Sequence, residues 1–542
     1  MKEKIQNALK DRLTAVSSGI YRQKYHLMAD IGWISDPNGL CEHQGIYHIF
    51  HQYTPAEDLG LHKCWGHYIT RDFHRYADLG MLMCPDSEID KDGCYSGSGF
   101  SHNGKLHLFY TGNILHDGDY DYINEGRGHY TNTLLSEDGL HFSKKQVLLK
   151  NEDYPENMSC HVRDPKVSRI GDHLYMVIGA RTKDSQGCAL LYECDPEDLN
   201  RLTFRQVICS EVPFGYMWEC PVLMELDGRP YLLTCPQGVS TDGYQYENVY
   251  QNGLFELTLD ENGLYTAVHF QELDHGFDFY APQSFRDEKG REILIGWMGI
   301  PDADYDNPEK EEGWIHCLSL PREIRLKDGR ITQFPIREIL DLKTDEQKIE
   351  LKPDETVEIP QKNFHFEAGR INNRPFELQI RQDVRLIYED GLLTLAFKES
   401  GAGRSERHIE LAGRTVEQID LFSDTSSLEI FINRGEYAFA TRIYDGNKPA
   451  ILKSSTRLSG RLSIMQPFEI SCEAAIGKLT PEQAQEWLSE DTDRTGDQAD
   501  APAPSVIEAV LNDSVRKDIS DQEMSAALRA AQISSRANRS IK

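Results

Sequence analysis

The sequence has no long apolar run and comparatively few basic residues. No apolar stretch approaches the roughly 20 residues that a membrane-spanning helix needs, so we predict no membrane span. The 58 Lys and Arg are outnumbered by 88 Asp and Glu, which gives a formal net charge of −30. Because nucleic acids and anionic membranes attract clustered basic residues, this balance argues against both as partners. A neutral small molecule would be indifferent to it.

The sequence also lacks a paired-cysteine motif and an export signal. Its twelve cysteines form no Cys-x-x-Cys pair, and Cys188, Cys209 and Cys235 lie in apolar, strand-like runs. Residues 1–10 are charged and amphipathic, with no apolar core and no small-residue cleavage site. We therefore expect a short helical segment over residues 1–20, reduced and mostly buried thiols, and a cytoplasmic location.

What the sequence does contain favours strands and tight turns. Its 542 residues are too many for one compact core, so two domains with extensions are expected. Aromatic residues make up 10% of the chain, and 41 glycines supply turn positions. This composition predicts an all-β protein.

A repeat organises the first 340 residues. Five segments start with a turn glycine and continue into an apolar strand, and the glycines are Gly45, Gly104, Gly171, Gly228 and Gly290. A period near 60 residues with a hairpin signal in each unit predicts a β-propeller of four-stranded blades. Five units imply a five-bladed propeller over residues 21–340. A long antiparallel sandwich with accidental spacing is the alternative.

A polar residue precedes each of these glycines by seven to twelve positions. If the units are equivalent, these residues start each blade and converge on one central channel, although some lie more than 180 residues apart. The five residues are Asp36, Ser96, Asp164, Glu219 and Asp278.

The pattern changes after about residue 363. Alternating, turn-bounded runs predict an antiparallel β-sandwich over residues 350–478, a structural unit or a contact surface for a homodimer. In the tail, residues 479–542, a capping box at Thr480 predicts a short helix. Residues 489–504 read as a flexible linker, and amphipathic helices are expected beyond it.

Three acidic residues lie in settings unlike ordinary surface acids. Asp36 lies in Trp-Ile-Ser-Asp-Pro-Asn-Gly at residues 33–39, which alone would be a turn. Asp164 follows Arg163, which should keep it ionised. Glu219 lies in Met-Trp-Glu-Cys-Pro, whose apolar residues favour a proton donor, although a buried ion-pair partner is the alternative. Hydrolysis of a glycosidic bond needs two carboxyl groups facing each other across the sugar.

These three motifs, in this order, resemble those of glycoside hydrolase family 32, the invertases, fructanases and sucrose-6-phosphate hydrolases. The resemblance covers roughly residues 20–475 and implies a five-bladed propeller followed by a β-sandwich. Family members usually read Trp-Met-Asn-Asp-Pro-Asn-Gly in the first motif, where this chain has Ile34 and Ser35. Several stretches, such as Trp-Glu-Cys-Pro-Val-Leu from residue 218, are most similar to bacterial sucrose-6-phosphate hydrolases.

The resemblance implies a retaining mechanism, with carboxyl groups about 5–5.5 Å apart. Asp36 would be the nucleophile and Glu219 the acid/base. Asp164 would stabilise the transition state. The substrate-binding residues that it implies are Trp33, Ile34, Ser35, Gln52, Trp65, Tyr95, Ser96, Arg163, Tyr280 and Trp297. The substrate would be sucrose, its 6-phosphate or short fructans.

Other functions remain as alternatives. A fructosyltransferase or fructan hydrolase would use the same residues, and a sugar-binding relative without activity would have lost a carboxylate. His62, Cys64 and His67 fit no zinc pattern, so no metal is predicted. No nucleotide-binding motif is present, so we expect no cofactor.

Overall fold

The structure, a computed structural model, describes residues 19–56, 63–369, 371, 374–471 and 481–489. Nearly all of the predicted helical segment 1–20 and the tail beyond residue 489 lie outside these residues. Within them, no helix is long and apolar enough to cross a membrane.

Residues 32–335 form five mainly antiparallel sheets. Their strands are β1 (Gly32–His43), β2 (Ile46–Thr54), β3 (Cys64–Thr70), β4 (Arg75–Met83), β5 (Cys94–His102), β6 (Lys105–Leu115), β7 (Arg127–Ser136), β8 (Gln146–Leu149), β9 (Met158–Ile170), β10 (His173–Thr182), β11 (Gly187–Asp195), β12 (Asp198–Ile208), β13 (Met217–Leu226), β14 (Arg229–Gln237), β15 (Gly253–Leu259), β16 (Tyr265–Glu272), β17 (Tyr280–Arg286), β18 (Glu292–Met298), β19 (Trp314–Ile315), β20 (Cys317–Leu318), β21 (Arg322–Lys327) and β22 (Arg330–Pro335).

The sheets follow one another around a ring. Strands β1–β4, β5–β8, β9–β12 and β13–β16 each pair in sequence order, and β17, β18, β21 and β22 form the fifth sheet, with β20 beside β18. The first strands, β1, β5, β9, β13 and β17, contact one another in a closed cycle. Apolar side chains fill the space between neighbouring sheets, as where Phe50 packs with Leu106 and Leu108. The predicted propeller is confirmed.

The repeated glycines close the turns between the first and second strands of the sheets. In three of them both turn residues have positive φ, as at Asn103 (49°) and Gly104 (73°), which is the turn geometry that suits a two-residue hairpin. A Cβ on Gly104 would meet no atom within 4 Å. The backbone angle, not crowding, therefore favours glycine here.

Every first strand also carries a β-bulge near its start. The pairing register shifts at Asp36, at Ser96, after Arg163, after Glu219 and after Tyr280. In three of the five strands the skipped residues include a proline, which cannot donate a ladder hydrogen bond and is tolerated at bulges. A bulge re-aims the side chains beside it, so the same irregularity recurs where the five strands meet.

Residues 343–465 form two further sheets packed face to face. Their strands, with a last short strand that lies elsewhere, are β23 (Lys343–Leu351), β24 (Thr356–Ile359), β25 (Phe364–Gly369), β26 (Phe376–Ile380), β27 (Val384–Glu389), β28 (Leu392–Ala396), β29 (Glu406–Glu410), β30 (Gln418–Ser423), β31 (Ser427–Ile432), β32 (Tyr437–Arg442), β33 (Ala450–Ser454), β34 (Leu458–Met465) and β35 (Glu469–Ile470). The sheet orders are β23-β34-β25-β30-β31-β32 and β24-β33-β26-β27-β28-β29.

The apolar core of this second unit lies between its two sheets. Strands β26 and β27 alternate buried and half-buried residues, as a sheet with one inward face requires. Phe364 and Phe366 from one sheet pack with Leu378 and Leu386 from the other. The predicted antiparallel sandwich is confirmed.

Ion pairs without solvent exposure join the two units. Arg322 donates to Glu429 at 2.5 Å and to Asp274 at 2.9 Å. His26 lies 2.9 Å from Asp424 and 3.0 Å from Glu429. Strand β35, which follows the sandwich, pairs in parallel with the edge strand β4 of the propeller. Within the propeller, β19 pairs in parallel with β1.

Helices are few and short. The described helices are α1 (Arg337–Leu340) and α2 (Pro481–Ser489), with two 3₁₀ turns at Asn151–Asp153 and Pro308–Glu312. The helix predicted after the capping box at Thr480 corresponds to α2, while Thr480 itself lies outside the described residues.

Candidate active site

A cavity of about 430 Å³ opens where the first strands of the five sheets meet. Eleven of the thirteen predicted site residues line it. They are Trp33, Ser35, Asp36, Gln52, Tyr95, Ser96, Arg163, Asp164, Glu219, Tyr280 and Trp297. Each of the five sheets contributes at least one of them, so the fold gathers residues that lie as much as 264 positions apart in the sequence.

Asp36 is held by hydrogen bonds to one of its oxygens. Ser96 donates its hydroxyl to Asp36 Oδ2 at 2.5 Å, and the Cys220 thiol lies 3.9 Å from the same oxygen. Burial raises the pKa of Asp36, the Ser96 hydrogen bond opposes that rise, and the nearby charge of Glu219 adds to it. The second oxygen is left for a reacting group.

Glu219 lies in polar surroundings, which corrects the expectation from its apolar sequence neighbours. Arg163 donates to Glu219 Oε1 through Nε at 3.1 Å and Nη2 at 2.5 Å. Tyr280 donates its hydroxyl to Oε2 at 2.6 Å, and Gln237 donates to the same oxygen at 2.9 Å. The ion-pair alternative is therefore present, but inside the cavity and not in a closed core.

Asp164 differs from the sequence expectation, because Arg163 does not hydrogen-bond to it. The Arg163 guanidinium points to Glu219 instead, and Asp164 Oδ2 accepts from the backbone N–H of Cys220 at 2.9 Å. Burial raises the pKa of Asp164 to about 7, and the charge of Arg163 only partly opposes this. Asp164 itself adopts a positive φ of 66° at the bulge.

Aromatic side chains form one side of the cavity. The ring centroids of Trp33 and Trp297 are 6.0 Å apart, and those of Tyr280 and Trp297 are 6.4 Å apart. The buried Trp297 indole N–H has no hydrogen-bond partner among the described residues, so it is available to a ligand hydroxyl. Flat apolar faces beside polar donors suit a sugar ring.

Two predicted contact residues do not line the cavity. Ile34 is fully buried in an apolar cluster, because side chains alternate along β1 and those of Trp33 and Ser35 take the cavity side. Trp65 is also fully buried, and its indole N–H donates to the backbone oxygen of Tyr95 at 3.2 Å. Trp65 therefore contacts the cavity wall from behind.

Asp278, expected to join the converging acids, lies elsewhere. Its carboxylate accepts two hydrogen bonds of 2.7 Å from Arg404 and one from the backbone N–H of Arg442, both in the sandwich. It precedes β17, so it misses the bulge that aims the other residues into the cavity. Asp278 ties the two units together.

Sequence reasoning missed several cavity residues. They are Lys63, Arg127, His129, His161, Gln237, Pro301 and Asp302. Arg127 and His129 are two apart on β7, and His161 and Arg163 are two apart on β9, so each pair shares a strand face. Such paired basic residues on neighbouring strands are the signal that could have found them. Of the residues weighed as metal ligands, His62 lies outside the described residues.

Comparisons with known proteins agree with this geometry. Residues 26–335 match the N-terminal domain of glycosyl hydrolases family 32, and residues 345–461 match the C-terminal domain of that family. The chain is 37% identical to a sucrose-6-phosphate hydrolase of Bacillus subtilis over 451 residues, covering 79% of this chain and 90% of the relative. It is 34% identical to a sucrose-6-phosphate hydrolase of Escherichia coli, covering 81% and 92% of the two chains.

Solved structures give the same result. A sucrose-6-phosphate hydrolase from Lactobacillus gasseri aligns with a TM-score of 0.76 at 28% identity, covering 85% of this chain and 96% of that one. A family 32 β-fructofuranosidase variant from Bombyx mori in complex with sucrose aligns with a TM-score of 0.75 at 30% identity, covering 87% and 99%. The fold, the two domain matches and these relatives together show that the chain belongs to glycosyl hydrolases family 32.

Proposed function

We propose that this protein hydrolyses the fructosyl bond of sucrose 6-phosphate and sucrose with retention of configuration. The observation that carries the proposal is the meeting of Asp36, Asp164 and Glu219, from three different sheets, at one cavity. The names of the relatives support the substrate class, since they are sucrose-6-phosphate hydrolases and a β-fructofuranosidase.

In the first step, the Asp36 carboxylate forms a bond to the anomeric carbon of the fructosyl unit. The bond to the leaving oxygen breaks, and Glu219 gives that oxygen its proton, which releases glucose or its 6-phosphate. The hydrogen bond from Ser96 leaves one Asp36 oxygen for attack. The ester that results links Asp36 to fructose.

In the second step, Glu219 takes a proton from water, whose oxygen attacks the same carbon and displaces Asp36. Glu219 is protonated in one step and ionised in the other, so its neighbours must tolerate both states. The Tyr280 hydroxyl can donate to a carboxylate or accept from a carboxylic acid. Asp164 faces the positive charge that develops on the sugar ring, while Trp33 and Trp297 enclose it.

The test is release of glucose or glucose 6-phosphate by wild type, Asp36→Asn and Glu219→Gln. We expect both variants to lose several orders of magnitude in kcat, with Glu261→Gln, an exposed loop acid, as the matched control. Retention predicts that the fructose released first has the anomeric configuration of the substrate, which NMR can follow. Activity near wild type in both variants would overturn the assignment.

Product analysis at high sucrose separates hydrolysis from transfer. Free fructose as the main product supports a hydrolase, whereas fructosylated sugars would indicate a fructosyltransferase. Consumption of short fructans with neither sucrose nor its 6-phosphate cleaved would keep the carboxylate roles and change the substrate.

We also propose domains at residues 21–340 and 350–478, a cytoplasmic location and a homodimer contact on the sandwich. The family matches at 26–335 and 345–461 support the domains. The eleven described cysteines form no disulfide with one another and nine of them are buried, a state that a reducing compartment preserves. Light scattering that gives the mass of one chain would overturn the dimer.

A further inference from the structure

We propose that Arg127, with His129 beside it, forms a subsite for a phosphate monoester carried by the leaving sugar. This inference rests on the proposed function and deepens it, because it names the groups that would distinguish sucrose 6-phosphate from sucrose. Both residues lie on β7 and line the cavity, outside the three motifs that carry the proposed chemistry.

The Arg127 guanidinium is held by two hydrogen bonds and keeps one nitrogen, Nη2, as a donor unused by the described residues. Its Nη1 donates to Asn113 Oδ1 at 2.8 Å, and its Nε donates to the backbone oxygen of Tyr122 at 3.3 Å. In the part of the chain that the structure describes, Nη2 has no acceptor and no carboxylate forms an ion pair with Arg127. A guanidinium held through Nε and Nη1, with Nη2 left to donate, is ready to bind an anion.

The other two cations of the cavity are engaged elsewhere. Arg163 donates to Glu219, and the Lys63 ammonium lies 4.5 Å from the ring centroid of Trp33. The chain has 30 more acidic than basic side chains, yet Arg127 lines the cavity without an ion pair to any described acidic residue. An anionic group on the ligand would neutralise its charge.

Hydrogen bonds around Asn113 fix the tautomer of His129. Asn113 Nδ2 donates to the backbone oxygen of Asp92 at 3.1 Å, which turns Oδ1 toward Arg127 and toward His129 Nε2, 3.1 Å away. His129 must therefore carry its proton on Nε2, since Oδ1 only accepts. Burial holds the pKa of His129 well below its usual value, so the ring is neutral.

His129 Nδ1 is consequently an acceptor, and it is buried without a partner among the described residues. The residue is 1% exposed. A buried acceptor in a cavity wall calls for a donor from the ligand, and a sugar hydroxyl is such a donor. Arg127 would bind the phosphate and His129 a hydroxyl of the same sugar.

A continuous hydrogen-bond chain links Arg127 to the acid/base Glu219. Arg163, which donates to Glu219, also contacts His161 Nδ1 at 2.7 Å. His161 Nε2 lies 3.1 Å from the Tyr122 backbone oxygen, which also accepts from Arg127. The chain ends at Arg127, and because Glu219 would protonate the leaving oxygen, we place the leaving sugar along it. The phosphate on that sugar would lie beside Arg127.

The experiment measures kcat/KM for sucrose 6-phosphate and for sucrose in wild type, Arg127→Gln and Arg127→Lys. We expect Arg127→Gln to lower the ratio of the two values about 10- to 100-fold, the effect of losing a charge-assisted hydrogen bond. Arg127→Lys keeps the charge without the planar fork and should give an intermediate ratio. Arg201→Gln, an exposed charge-matched control, should leave the ratio unchanged.

A ratio of kcat/KM values that does not change in Arg127→Gln, whether both values fall equally or neither falls, would overturn the subsite. The thermal unfolding temperature of Arg127→Gln shows whether the variant folds as stably as wild type. If it does not, Arg127→Lys tests the role of the charge. Inhibition by glucose 6-phosphate should be at least about tenfold stronger than inhibition by glucose or by inorganic phosphate. Equal inhibition by inorganic phosphate would mean a free-anion site and would overturn the assignment to the leaving sugar.

Direct binding separates this inference from the proposed function. If wild type cleaves neither sugar, the proposed function fails, but calorimetry with glucose 6-phosphate still tests Arg127. Binding that weakens about 10- to 100-fold in Arg127→Gln supports the subsite, and equal binding to both proteins overturns it.

Discussion

The pKa values of two groups of buried carboxylates are shifted in opposite directions. At the cavity, burial raises the pKa of Asp36 and of Asp164, and the rise is opposed only in part, at Asp36 by the Ser96 hydrogen bond and at Asp164 by the Arg163 charge. Where propeller and sandwich meet, burial alone would also raise the pKa of Asp278 and Glu429, yet their arginine partners lower both pKa values below the usual range. Burial is the same in kind, so the position of the arginine decides the outcome.

The comparison separates stability from chemistry. Arg404 donates to Asp278 through Nε and Nη2, and Arg322 donates to Glu429 through Nε and to Asp274 through Nη1. Arg163 stands next to Asp164 in the sequence but points to Glu219, so no cationic side chain among the described residues hydrogen-bonds to Asp164. The interface acids hold the units together, while the cavity acids remain able to change protonation state.

The largest effect is expected at the interface. Asp278→Asn leaves the Arg404 charge buried without its counter-ion, which should lower the free energy of unfolding by about 3–5 kcal/mol. Urea unfolding followed by tryptophan fluorescence measures this, with Glu261→Gln as control. A loss below about 1 kcal/mol would mean that the pair contributes no more than a surface ion pair.

Asp164→Asn should have a smaller and different effect. Loss of a charge that stabilises the transition state is expected to lower kcat by about 10²–10³-fold. The native pKa of about 7 lies above the unfolded value of about 3.9, so ionisation of Asp164 costs stability as pH rises through this range. The melting temperature of the variant relative to wild type should therefore increase between pH 4.5 and pH 8. A difference that does not change with pH would contradict this account.

Ser96→Ala tests the hydrogen bond that offsets burial at Asp36. Without this donor the pKa of Asp36 should rise further, so the acid limb of the kcat/KM profile should move to higher pH, with about a tenfold loss on that limb. Ser98→Ala is the control, because Ser98 lies on the same strand and donates to the Pro165 backbone oxygen instead. A uniform loss at every pH would show that Ser96 only packs against the substrate.

Lys63→Gln should give the smallest change. Lys63 lowers the pKa of Asp36 through its charge and makes no hydrogen bond to that residue. We expect about a two- to fivefold loss, equal for sucrose and sucrose 6-phosphate, in initial-rate assays. A loss confined to sucrose 6-phosphate would place the phosphate at Lys63 rather than Arg127.

The sequence predicted the propeller and the sandwich because both rest on local signals. A turn glycine needs only its own backbone angle, as at Gly104, and alternation shows within single strands such as β26. The meeting of Asp36, Asp164 and Glu219 at one cavity followed from the same repeat. These features depend on near neighbours in the chain.

The failures depend on long-range packing. Ile34 and Trp65 lie beside cavity residues in sequence, but strand alternation and a neighbouring sheet bury them. The direction of Arg163 and the pairing of Asp278 with Arg404 were out of reach, since each is set by a partner 56 to 126 residues away. Arg127 and His129 belong to none of the three motifs, and only their spacing of two residues on β7 pairs them in the sequence.

One contact at the interface constrains how the chain is made. The backbone N–H groups of Lys24 and Tyr25 donate to the Asp424 carboxylate, and His26 Nδ1 lies 2.9 Å from it, 398 to 400 residues earlier in the chain. At 5–20 residues per second, a ribosome needs roughly 20–80 s to reach Asp424 after it has made His26. During this time the two backbone N–H groups and the His26 imidazole lack their partner Asp424. We therefore expect the early part of the chain to reach its final packing only after the sandwich has emerged.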